Sequence, residues 1–154
     1  MAGTISGQGA PVLHRSKGVV RIECDITTDA SGDASLTVIG AAFGRLVNVF
    51  YDGGLDASAS VTLKDTNTGA TVFGPYVTGT EGTPVMLAPK TNVVTDAGAT
   101  IAAADTAPNI WRDIVVGGKL SLVVASGGNA ETGKFAFVFD ESPKNQLGDI
   151  ALTV

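Results

Sequence analysis

The sequence predicts an all-β domain: a two-sheet sandwich, Ig-like or jelly-roll-like, of about eight or nine short antiparallel strands with extended N- and C-terminal arms. Three observations carry this prediction. Apolar and polar residues alternate with period two in segment after segment. Turn residues interrupt the segments at roughly the 8–12-residue spacing of sandwiches and barrels. No stretch sustains the 3.6-residue period of a helix over about 12 residues.

The segment Lys119–Asp140 shows the pattern most clearly. Leu120, Leu122 and Val124 alternate with Lys119, Ser121 and Val123, then a glycine-bearing loop follows over 126–133. Phe135, Phe137 and Phe139 then alternate with Lys134, Ala136, Val138 and Asp140, so three of the six Phe project from one strand face. Such a face needs a covering layer, since each buried large apolar side chain contributes about 1.5–3 kcal/mol. The two arms read as a hairpin.

In chain order, residues 1–17 form the predicted N-terminal arm, rich in Gly and Ser and without sustained periodicity. The β domain is expected over 18–141. Gly18–Thr28 is a strand with Val20, Ile22, Cys24 and Ile26 on one face. The turn Asp29–Asp33 leads to Ala34–Ile39, with Leu36 and Val38 inward, so these two strands also read as a hairpin. Gly40–Gly44 is a corner. Arg45–Tyr51 is apolar on both faces, as in a central strand or one at a contact. Ala57–Thr66 and Ala70–Phe73 form a hairpin about the turn Asp65–Gly69. The segment 74–107 is less regular, since Pro75, Pro84 and Pro89 forbid long central strands; short strands are expected near Val85–Leu87 and Ala99–Ala103. Trp111–Val116 leads through Gly117-Gly118, which permit a bend, into the strand pair described above. Residues 142–154 form the C-terminal arm, with Leu147, Ile150, Leu152 and Val154 as its apolar positions.

Composition narrows the function classes. The chain has 154 residues, enough for one domain with a real core. Charged residues make up 16%, below the usual quarter, which favours a surface covered in part by a partner. A net charge of −5 argues against nucleic acid, whose binding needs a basic stripe. No apolar run approaches the roughly 18–20 residues of a membrane-spanning helix, and the opening residues lack the charged and apolar regions of a signal peptide.

No catalytic residues, cofactor or metal are expected. The single His14 has no neighbouring acid or Cys in sequence, which argues against a β-sandwich hydrolase, and the single Cys24 alternates with apolar positions as a buried thiol does. One Cys and one His cannot make a structural zinc site within a single chain. Asp29, Ser31 and Asp33 have the spacing of an oxygen-rich calcium loop but lack the closing Glu, and turn chemistry accounts for them. Trp111 beside Arg112 is a pair of types enriched at binding hot spots.

The runs SKGVVRIECDITTDASGDASLTVIG, GRLVNVFYDGG and ASVTLKDTNTGATVF, with the closing KLSLVVASGGNAETGKFAFVF, resemble the head decoration, or cement, proteins of tailed bacteriophages. The resemblance spans about Ser16–Asp140. It implies a jelly-roll-like, homo-oligomeric β domain (dimer or trimer), assembled in the host cytoplasm and docked on the capsid exterior, where it bridges subunits of the major capsid protein. No enzymatic activity is implied. Contacts with that partner are then expected from the N-terminal arm through His14, Arg15 and Lys17. Trp111 and Arg112 are candidates in the middle, and Leu147, Ile150 and Leu152 in the C-terminal arm. The alternative within the same fold class is a carbohydrate-binding or adhesin-type module of a tail fibre or baseplate, with Trp111, Tyr51 or Tyr76 as its stacking platform.

Overall fold

A computed structural model describes residues 3–5, 12–79, 84–89, 91–92 and 111–142, with the backbone alone for Val12, Thr91, Asn92, Trp111 and Arg112. All regular structure among them is β: β1 (Thr4–Ile5), β2 (Val12–Ser16), β3 (Val19–Thr27), β4 (Ala34–Gly53), β5 (Ser60–Asp65), β6 (Thr71–Val77), β7 (Val85–Leu87), β8 (Thr91–Asn92), β9 (Trp111–Arg112), β10 (Ile114–Ala125) and β11 (Thr132–Asp140). The expected strand near Ala99–Ala103 and the C-terminal arm lie outside the described residues.

Nine strands form one antiparallel sheet with the path β1-β3-β11-β4-β10-β5-β6, β2 pairing with β3 and β7 with β4. The sheet folds over itself at β4. The first part of β4 pairs with β10, which pairs in turn with β5. Its last part pairs with β11, which pairs in turn with β3. One layer therefore holds β2, β3, β11, the end of β4 and β7. The other holds the start of β4, β10, β5 and β6. Phe73 of β6 meets Phe137 of β11 edge-on across the interior, ring centroids 6.5 Å apart. The two expected layers are thus arms of one continuous sheet.

The fold of β4 occurs at Gly40–Gly44, the expected corner. A Cβ on Gly44 would stand 2.2 Å from the backbone oxygen of Asp140, so only glycine lets β4 pass β11 there. Beyond it, Arg45 and Leu46 are flanked by both β10 and β11.

The core unites Val20, Ile22, Cys24 and Ile26 of β3 with Phe135, Phe137 and Phe139 of β11, and with Leu120, Leu122, Val61 and Leu63 of the facing layer. These are the inward positions read from the sequence, with one correction. Val38 is 42% exposed and Ile39 is buried instead. The pairing of β4 with β10 slips between Leu120↔Gly40 and Leu122↔Leu36, so three residues, Thr37 to Ile39, stand opposite Ser121. The bulge inserts two extra residues, so Ile39 turns inward in place of Val38 and the even-numbered positions face the core again from Gly40 to Ala42. Gly117 and Gly118, where a bend was expected, sit in regular register with Phe43 and Ala42.

Two predicted hairpins are not hairpins. β10 and β11 are separated by β4, and β3 pairs with β11 and not with the start of β4. Both loops are arches that carry the chain from one layer to the other, and the β4–β5 loop is a third. The arches interlock. Gly127 N donates to Gly32 O (2.7 Å), Asp56 N to Gly127 O (3.0 Å) and Thr28 N to Glu131 O (3.0 Å). The buried hydroxyl of Thr28 donates to Gly128 O at 2.6 Å. The β5–β6 hairpin is as expected, closed by Asp65 N to Ala70 O at 2.9 Å.

Residues 4–5 and 12–16 of the expected N-terminal arm are strands on the edge of β3. β2 and β3 are joined by Lys17 (φ 51°) and Gly18 (φ 80°), the two-residue left-handed turn whose twist matches a hairpin. Ile5 is buried against the core.

Candidate functional site

The outer face of the β2/β3/β11/β4/β7 layer carries charged side chains together with Phe50 and Met86 in cross-strand rows. Paired residues of an antiparallel sheet share a face. One row runs Glu23–Ala136–Phe50–Met86, and the next runs Asp25–Lys134–Asp52. A third places His14 beside Arg21. The opposite faces of the same strands carry the core residues, so the alternation that fills the interior also builds this surface.

Its charges are mostly paired. Arg21 donates from Nε to Glu23 Oε1 at 2.7 Å, and its guanidinium lies 5.2 Å from the centroid of the Phe50 ring. The Arg21 hydrogen bond holds the Glu23 carboxyl below the usual range, against a smaller opposing effect of burial. His14 Nε2 lies 3.5 Å from Glu23 Oε2, and Lys134 Nζ lies 3.3 Å from Asp25 Oδ1. Between Phe50 and Met86 is a groove of about 360 Å³, with Ala136 at its floor and Asp52 and Lys134 at one end. Met86 is 65% exposed.

The remaining predicted contact residues disperse. Arg15 reaches from the edge of one layer to the other: it donates to Glu141 at 2.6 Å and to Ala41 O at 3.1 Å. Glu141 in turn accepts from Phe43 N at 2.6 Å. Arg15 is thereby engaged in closing the open side of the fold. Lys17 is exposed at the β2–β3 turn. Trp111 and Arg112 form β9, whose backbone pairs with β8 in a separate two-stranded sheet. Leu147, Ile150 and Leu152 lie outside the described residues.

The aromatic platform of the alternative reading loses Tyr51. That side chain is 1% exposed, and its hydroxyl accepts from Leu55 N and donates to Gly53 O, both at 3.2 Å. It faces inward because Phe135, its cross-strand partner, does. Tyr76 stacks on Phe73, centroids 6.1 Å apart, and packs against the core.

No family model, no curated protein and no solved structure matches the chain.

Among the described residues no three His, Cys, Asp or Glu side chains gather as a metal ion requires. Asp29 Oδ1 accepts from Ser31 N (2.8 Å) and Asp33 N (3.0 Å), the turn chemistry expected of that loop. Cys24 is buried, and desolvation pushes its thiol up to about 12.

Phe50 and Met86 were not among the sequence candidates. The signal for Phe50 was present in the two-sided apolar character of Arg45–Tyr51. Met86 gave none, because a three-residue strand is too short to show alternation.

Proposed function

We propose that this chain is a tailed-phage head decoration protein, a β domain that docks on the capsid exterior and bridges coat subunits. The reading rests on the resemblance over Ser16–Asp140 and on one surface observation. Phe43, Val77, Met86 and Val115 are each more than half exposed, on a chain with few charges. Large apolar side chains left in water on several strands favour a covering macromolecular partner over a small ligand. The interlocked arches and the Arg15–Glu141 closure supply a stiff body, which suits a protein that must resist strain between subunits.

The test is direct. Undecorated heads of the cognate phage are mixed with purified protein and sedimented through a cushion. Saturable co-sedimentation, with heads that withstand a higher temperature before releasing DNA, is the expected result. Protein that stays in the supernatant at all concentrations would remove the reading. Deleting Leu147–Val154 is expected to weaken decoration while circular dichroism still reports a folded β domain.

A further inference from the structure

We infer that the groove between Phe50 and Met86 is a protein-docking site whose occupant presents an apolar side chain next to a lysine or arginine. This deepens the decoration reading and rests on it: the occupant is a segment of the coat subunit, and the groove is the face turned toward it.

Shape and leftover charge together define the occupant. The walls are Phe50, fixed by the guanidinium stacked on it, and Met86, on a three-residue edge strand. Methionine adapts to irregular apolar partners, whereas a ring clamped by Arg21 is a rigid wall. Ala136, 2% exposed, makes the floor shallow and dry. The groove therefore accepts one side chain of Leu, Met or aromatic size.

Charge decides what lies beside that side chain. Both cations at the site are neutralised within the sheet, Arg21 by Glu23 and Lys134 by Asp25. Asp52, at the end of the groove, makes no ion pair among the described residues and is exposed. The cluster thus presents one uncompensated carboxylate next to an apolar slot. A second copy of this chain would set the same negative end near its own, and the described residues of this face bring no free cation, so self-pairing through this face is disfavoured. A basic residue adjoining an apolar one satisfies both parts.

The experiment measures co-sedimentation with undecorated heads for the whole chain and for four single variants: Met86→Ser, Asp52→Lys, Asp52→Asn and, on the edge strand of the other layer, Thr71→Ala. Met86 and Asp52 are both solvent-facing, and thermal melts confirm that each variant is folded. Met86→Ser and Asp52→Lys are expected to weaken binding roughly tenfold or more, as truncation of an interface hot spot does. Asp52→Asn is expected to flatten the salt dependence of binding. Thr71→Ala is expected to bind as the parent does. If the parent binds and the Met86 and Asp52 variants bind equally well, the groove assignment is overturned while decoration stands. If the parent does not bind at all, both fall. A dimer of the parent chain that Met86→Ser dissociates in sedimentation equilibrium would assign the face to a second copy and overturn the proposal.

Discussion

Cys24 sits opposite Phe135, fully buried in the middle of β3, and its thiol is held protonated far above neutral pH. It is expected to resist a disulfide reagent at pH 8 in the native protein and to react stoichiometrically once denatured. Rapid native labelling would contradict the burial. The carboxylates behave oppositely. Glu23 is held down chiefly by its Arg21 hydrogen bond, Asp29 by the backbone N–H of Asp33 and then of Ser31, and Asp140 by Ser142. A carboxyl depressed on folding stabilises the native state above its unfolded value, and that contribution disappears as pH falls through the folded one. The melting temperature is therefore expected to be flat near neutrality and to drop below about pH 4. Asp29→Asn should flatten that acid limb in a pH series of thermal melts.

At the scale of the element, β4 decides the architecture, and Gly44 decides β4. An Ala there would place Cβ against a backbone oxygen of β11 that has no rotamer with which to yield. Gly44→Ala is expected to lose about 2 kcal/mol or more in denaturant unfolding. Gly18→Ala, at φ 80° but in the β2–β3 turn, should lose about 1 kcal/mol. Strand faces were legible in the sequence because alternation reports which side is buried. Strand neighbours were not. The loop after β10 and the loop after β3 are each short, polar and glycine-bearing, and such a loop serves an arch between layers as well as a hairpin. The β5–β6 turn was legible because Asp65 and Gly69 close it locally. Val38 was misplaced because a bulge has no signature in alternation. The groove was half legible: Phe50 lies in a strand apolar on both sides, but pairing alone sets it beside Met86 and Arg21.

For the whole molecule, the two layers share one core. Phe137 lies near its centre, within 5.9 Å of Phe135 and 6.5 Å of Phe73, ring centre to ring centre. Phe137→Ala is expected to remove about 3–5 kcal/mol. Because a single cluster spans both layers, the loss should appear as an earlier but still single, cooperative unfolding transition by both far- and near-ultraviolet circular dichroism. Two separated transitions would show that the layers unfold independently.

The place of β11 sets an order of events during synthesis. It is the last strand of the described chain, yet it lies in the interior of the sheet, hydrogen-bonded to β3 on one side and β4 on the other. A ribosome that has made everything through β10 has released a chain whose two longest hydrogen-bonding edges in that layer still face solvent, with the aromatic row that covers the core not yet made. Such edges pair readily with other chains. The nascent protein must wait, partly assembled, for its final strand to slide between two already present. A chain ended at Ala125 is expected to aggregate on expression, and a synthetic β11 peptide supplied during refolding should rescue soluble β structure by filling that slot.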